Sequence, residues 1–198
     1  MKKILLILLF LFTSYELRVT GYGQEEVGNM KKVVMVIAQD GFRDEEFLQP
    51  KEILERNGIE VKVASTSLAE AKGMLGAKVK PDILVSDINI RDFAAVVFVG
   101  GAGASQYWND PVAQKLAEDA LNTNRIVAAI CIAPVTLAKA GILKGKRATV
   151  WPSEAEQLKA AGANYTGRAV EKDGDIITAW GPAAAREFAE ELVRALNK

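Results

Sequence analysis

Three unbroken apolar runs most constrain what this chain can fold into: Val33–Ala38, Ala94–Val99 and Ile126–Ile130. A strand with one face in water alternates apolar and polar residues. These runs do not alternate, so each predicts a strand buried on both faces. Helical segments separate them. A helix is expected from about Arg43 to Asn57, with Gly58 as its stop. Asp110 caps a second helix that Pro111 opens, and Pro134 opens a third. Pro182 to Leu196 forms the last, with Phe188, Leu192 and Leu196 as its apolar stripe and Glu190 spaced to pair with Arg194. Val61–Ala64 reads as a further strand, and Ala148–Trp151 as a short one followed by a helix from a Ser153 cap to about Ala161. Asp173-Gly174 joins Val170–Lys172 to Asp175–Thr178 as a hairpin, and Gly73–Asp87 reads as a smaller hairpin turning at Pro81. Buried strands alternating with helices imply an α/β fold, a mostly parallel central sheet with helices on both faces. Ligands of such sheets sit outside the carboxyl ends of the strands, which directs attention to loops 39–46, 100–106 and 131–134.

The length of 198 residues suits one domain, residues 30–198, behind a leader of residues 1–29. Lys2 and Lys3 precede the apolar run Ile4–Phe12, the pattern of a secretory signal and too short to span a bilayer. Gly21 and Gly23 supply small residues before a cut at Gln24. Export or membrane association is therefore expected, with a cytoplasmic chain starting at Met30 as the alternative. Lys and Arg number 25 and Asp and Glu 25. This balance argues against nucleic acid as a partner, and the only membrane contact expected is a transient one through the leader. The chain has no histidine, which excludes a Ser-His-Asp triad, a Cys-His dyad and any histidine metal site. Its single cysteine excludes an intrachain disulfide and a cysteine-rich zinc site. No metal and no other cofactor is expected, and a nucleophile here must use a base other than histidine.

Cys131 ends a buried strand three residues before the helix-opening Pro134. A sharp strand-to-helix turn lifts its central side chain above the sheet edge and aims a helix N-terminus at it, which favours thiolate. Most lone cysteines are inert core residues; it is this context that marks Cys131. Three acidic residues, Asp44, Glu45 and Glu46, open the first helix. Asp44 and Glu45 suit a solvated first turn that complements the helix dipole. Glu46 instead shares its side of the helix with Phe47, Pro50, Ile53 and Leu54, so its carboxyl should be desolvated, with a raised pKa, and able to donate a hydrogen bond to a thiolate. Gly100-Gly101-Ala102-Gly103 fails the dinucleotide-loop pattern at its third glycine and reads as a tight turn offering a backbone N–H near a reacting centre.

Ala129-Ile130-Cys131-Ile132-Ala133-Pro134 resembles the A-I-C-x-G-P elbow of the DJ-1/PfpI superfamily. Glu46-Phe47-Leu48-Gln49-Pro50 is similar to its E-x-x-x-P motif, Val99-Gly100-Gly101 to its glycine turn, and Thr178-Ala179-Trp180-Gly181-Pro182 to its T-x-x-G-P. The resemblance runs from about Lys31 to Leu196, with the motifs in family order. It implies a flavodoxin-like three-layer sandwich of the class I glutamine-amidotransferase type, assembled as a homodimer or higher homo-oligomer. It also implies Cys131 as nucleophile, Glu46 as its carboxylate partner, and the backbone amides of Gly101 and Ile132 as oxyanion donors. Gly100, Trp151 and Trp180 are expected in the pocket. The chain departs from the family at Ile132 and Trp151, where different branches carry histidine, so a peptidase lacks its usual proton donor for the leaving amine. A Cys–Glu pair without histidine suits glyoxalase or deglycase chemistry on a small reactive carbonyl such as a 2-oxoaldehyde. The alternative is a redox-sensing, stress-protective protein acting through oxidation of Cys131.

Overall fold

A computed structural model describes residues 31–198. The expected leader and its cleavage site lie outside them. The chain begins with β1 (Lys32–Val36), β2 (Asp40–Phe42), α1 (Asp44–Arg56) and β3 (Glu60–Ser65). Three short strands follow, β4 (Ala71–Gly73), β5 (Lys78–Val79) and β6 (Ile83–Leu84). Then come β7 (Ala95–Phe98), α2 (Pro111–Asn122), β8 (Ile126–Ile130) and α3 (Pro134–Lys139). The last part holds β9 (Arg147–Ala148), α4 (Ala155–Ala160), β10 (Asn164–Tyr165), β11 (Val170–Asp173), β12 (Ile176–Ala179) and α5 (Ala185–Leu196).

The three apolar runs become the middle of a seven-stranded sheet of order β11-β12-β8-β7-β1-β3-β6, parallel except for β11. In register, Val33 lies beside Val61 of β3 and Ala95 of β7. Because side chains alternate along a strand, each run feeds two cores. Val34, Val36, Phe98, Val127 and Ala129 face the layer that includes Leu116 of α2 and Leu137 of α3. Val33, Met35, Val97, Ala128 and Ile130 face Phe47 and Leu54 of α1 and Phe188 and Leu192 of α5. From β1 the sheet grows one way through β3 and the other way through β7, β8 and β12. The strand order therefore reverses beside β1, which leaves a crevice at the carboxyl ends there.

The Asp173-Gly174 hairpin forms as the sequence implies, and Asp110 caps α2 by accepting from the Val112 N–H at 2.9 Å. Four local expectations change. The hairpin after β3 turns at residues 74–77, between β4 and β5. Pro81 comes after that hairpin, and the next strand, β6, leaves it to pair in parallel with β3. Asp44 is not solvated but buried, and its carboxylate accepts the N–H groups of Leu75 at 2.8 Å and Ala77 at 2.7 Å. Those two donors stand 31 and 33 residues away, beyond any local pattern. Ser153 does not cap a helix: Pro152–Glu154 forms a 3-10 turn, the Ser153 hydroxyl donates to Glu154, and α4 starts without a side-chain cap. Arg194 pairs with Glu191 at 2.8 Å rather than with Glu190, which lies beside Arg186.

Asp44→Ala is expected to lower stability by about 1–3 kcal/mol, since it strips the acceptor from two turn N–H groups. Urea midpoints and limited proteolysis within residues 74–77 measure this. An unchanged midpoint with an uncut turn would show that the carboxylate does not hold it.

Candidate functional site

Three loops at the carboxyl ends of β1, β7 and β8 meet around Cys131. β8 ends at Ile130, and Cys131 then takes a left-handed backbone, φ 63°. A residue with a Cβ holds that conformation only when its surroundings enforce it, at a cost of about 1–3 kcal/mol. Here the Cys131 N–H donates to the Ala179 carbonyl at 2.9 Å, and the Cys131 carbonyl accepts from the Trp151 N–H at 2.8 Å. The expected strand Ala148–Trp151 stops pairing after Ala148: the Thr149 N–H donates to the Thr178 hydroxyl at 2.9 Å, and the Trp151 N–H is tied to the elbow.

The glycine turn after β7 brings the carboxyl and the thiol together. A Cβ on Gly100 would stand 2.4 Å from Glu46 Oε2 and 2.5 Å from Cys131 Cβ, so only glycine fits between them. Gly101 has φ 99°, and a Cβ there would meet the Arg43 nitrogen at 2.3 Å. The Arg43 N–H in turn donates to the Gly100 carbonyl at 2.9 Å, which locks the glycine turn onto the start of α1. The N–H groups of Gly101 and Ile132 both approach the Cys131 sulfur.

Glu46 is fully buried, and neither of its oxygens has a well-formed hydrogen bond among the described residues. Burial pushes its pKa up to about 8, although the nearby Cys131 thiol, the Arg43 charge and the Gly100 N–H pull it down. Burial, followed by the negative charge of Glu46, pushes the Cys131 thiol up to about 12 against the pull of the Gly101 and Ile132 amides. Burial thus works against the thiolate that a helix N-terminus favours. A buried sulfur beside a carboxylate gains less from the short helix α3 than it loses in hydration. Burial favours the protonated form of both groups.

Alkylation of Cys131 by iodoacetamide is accordingly expected to keep rising between about pH 7 and 9, as the pair loses its first proton. A rate that has already levelled off below pH 7 would reveal a thiolate at rest.

A cavity of about 250 Å³ opens over the pair. Cys131, Glu46, Gly101 and Ile132 line it, with Arg43, Met74, Ala102, Trp151 and Pro182. Of the two tryptophans expected in the pocket, Trp151 lines the cavity and Trp180 does not. Trp180 stacks on Trp151, centroids 5.6 Å apart and planes 13° apart, and supports the pocket without lining it. Gly100 acts as the spacer between the two reactive groups. Arg43 and Met74 were not foreseen. Arg43 precedes α1, and its guanidinium is held by Glu45 through bonds of 2.7 and 3.1 Å. Met74 comes from the turn that Asp44 holds, and its sulfur accepts the Ala102 N–H at 3.4 Å. Nothing in the local sequence points to that contact. A larger groove of about 640 Å³ runs between residues 85–91 and α2, but it shares no residue with the site and contains no nucleophilic thiol.

Residues 31–195 match the DJ-1/PfpI family. The chain is 45% identical to an uncharacterized protein of Methanocaldococcus jannaschii, over 100% of this chain and 98% of that protein. The structure resembles a ThiJ/PfpI domain protein from Brachyspira murdochii with a TM-score of 0.84 and 35% identity, over 86% of this chain and 98% of that one. Other relatives have names that state an activity. A deglycase of Pyrococcus abyssi is 29% identical, over 83% of this chain and 99% of that protein. A glutathione-independent glyoxalase of Caenorhabditis elegans is 26% identical, over 84% of this chain and 89% of that protein. The match over residues 31–195 and the 35% identical ThiJ/PfpI structure place this chain in the DJ-1/PfpI family, with a flavodoxin-like fold of the class I glutamine-amidotransferase type.

Proposed function

We propose that the protein converts 2-oxoaldehydes into 2-hydroxy acids by glyoxalase-type chemistry, with Cys131 as nucleophile and Glu46 as proton carrier. One observation carries this reading. A buried carboxyl without a settled partner among the described residues sits across a single glycine from a thiol that the backbone N–H groups of Gly101 and Ile132 approach. An unsatisfied buried carboxyl is costly, and such groups concentrate at sites that act on a bound molecule. The relatives named deglycase and glyoxalase support small reactive carbonyls as the substrate class.

In this mechanism the ionised form of Glu46 accepts the thiol proton as Cys131 sulfur bonds to the aldehyde carbon. The N–H groups of Gly101 and Ile132 stabilise the oxygen as its charge develops. That oxygen recovers the proton, giving a hemithioacetal. Glu46 next removes the proton from the former aldehyde carbon to form an enediolate; the hydroxyl proton on that carbon passes to the neighbouring oxygen, and Glu46 returns its proton to the adjacent carbon. The product is a 2-hydroxyacyl thioester on Cys131. Water hydrolyses it, releasing the 2-hydroxy acid and the thiol. Water is consumed, and there is no net oxidation or reduction. No step requires histidine.

The test is methylglyoxal consumption by purified protein without added thiol or metal, with lactate detected by NMR. Lactate formation above the protein-free rate supports the reading. Its absence, together with peroxide conversion of Cys131 to a stable sulfinate, would replace catalysis by redox sensing.

The same reading takes the protein as a homodimer or higher homo-oligomer with residues 30–198 as its domain. Residues 1–29 serve as an export or membrane-retention signal, expected to be cleaved near Gly23. The intact mass of protein from the native host decides the last point. A mature cytoplasmic chain beginning at Met30 would overturn it.

A further inference from the structure

Trp151 lines the Cys131 cavity yet leaves 36% of its surface exposed. Its position is closely fixed. Trp180 stacks behind it, and Gly181 lies so near that a Cβ there would come within 2.7 Å of the indole ring. The Trp151 backbone N–H is bonded to the Cys131 carbonyl, so the main chain that carries the ring is tied to the elbow. An open, pre-positioned aromatic face offers apolar area and stacking without the entropy loss of ordering a flexible side chain.

The rest of the lining narrows what that face receives. Met74, Ile132 and Pro182 add apolar surface. The cation in the cavity, Arg43, is engaged by two bonds to Glu45. A polyhydroxylated chain entering here would give up water for few replacement hydrogen bonds. A flat ring would not, and about 250 Å³ has room for one attached to a two-carbon dicarbonyl.

We infer that the site selects 2-oxoaldehydes bearing an aryl or similarly flat apolar substituent, which lies against Trp151 while the aldehyde carbon faces Cys131. Trp151 is then the residue that determines specificity. This inference rests on the reading of Cys131 as a nucleophile toward 2-oxoaldehydes.

The test uses the full chain in two arms. The first compares initial-rate kcat/KM for phenylglyoxal and methylglyoxal. The phenyl substrate should be preferred by roughly tenfold or more, and Trp151→Ala should remove most of that preference, mainly through KM. Trp151→Leu keeps apolar bulk and guards against a folding defect. It should retain part of the preference. The second arm needs no turnover: acetophenone, but not acetone at equal concentration, should protect Cys131 from iodoacetamide, and Trp151→Ala should lose that protection. Acetophenone protection without turnover of either aldehyde would sustain the aryl slot and reject the oxoaldehyde chemistry. Equal kcat/KM for the two aldehydes, a preference unchanged in both Trp151 variants, or no protection by acetophenone would overturn the inference.

Discussion

Cys131→Ser is expected to lower 2-oxoaldehyde turnover by on the order of 10⁴-fold or more, the scale on which enzymes lose rate when a covalent nucleophile is removed. The exchange is nearly isosteric, so the elbow should survive. Its left-handed backbone is held by the Ala179 and Trp151 contacts, which involve only main-chain atoms of residue 131. A serine hydroxyl between the Gly101 and Ile132 amides is far less acidic and less nucleophilic than a thiol, so geometry without sulfur should not support the reaction. Circular dichroism and the urea midpoint should stay near wild type while lactate formation disappears. Wild-type turnover in a folded Cys131→Ser protein would remove Cys131 from the mechanism. It would leave the strained elbow without a catalytic explanation.

Glu46→Gln is expected to lower turnover by roughly 10²–10⁴-fold, the span of a general acid–base group. Glutamine fills the same space but cannot carry a proton between adjacent carbons. Two further readouts separate this role from simple damage. First, ionised Glu46 raises the Cys131 pKa, so the neutral amide should make Cys131 alkylate faster at about pH 9 even as turnover falls. Second, stability should depend on pH with a defined sign. The carboxyl titrates near 8 in the folded protein, against an ordinary value of 4.5. The folded state therefore binds more protons between those values. The stabilisation tied to the protonated carboxyl is fully present below about 4.5 and is lost as pH rises through about 8. Glu46→Gln has no such loss, so its stability relative to wild type should improve between pH 5 and 9 by on the order of a few kcal/mol. Glu52→Gln is the control, because Glu52 is exposed and pairs only with Arg56 among the described residues. If Glu46→Gln and Glu52→Gln match in turnover and in the pH dependence of stability, Glu46 is not the proton carrier.

Local sequence was enough for the buried strands, because burial on both faces makes a demand on composition that five or six consecutive residues can display. Val33–Ala38 and Ile126–Ile130 could hardly have folded otherwise. The same holds for Cys131, set between a buried strand and Pro134, and for Glu46, whose helical phase already places it on the apolar side of α1. Tertiary structure alone decided the rest, since those features depend on partners distant in the chain or on the depth of cover. Asp44 and Glu46 are two residues apart and both carry carboxyl groups, yet one binds a turn more than thirty residues away and the other is left, among the described residues, without a hydrogen-bond partner over a thiol. Trp151 and Trp180 read alike as pocket residues, and only their stacking order puts one against the cavity and the other behind it. The charge state of the pair follows the same logic. A helix N-terminus argues for thiolate from sequence, but desolvation scales with how completely the loops close over the sulfur and the carboxyl, and only the assembled fold determines that closure.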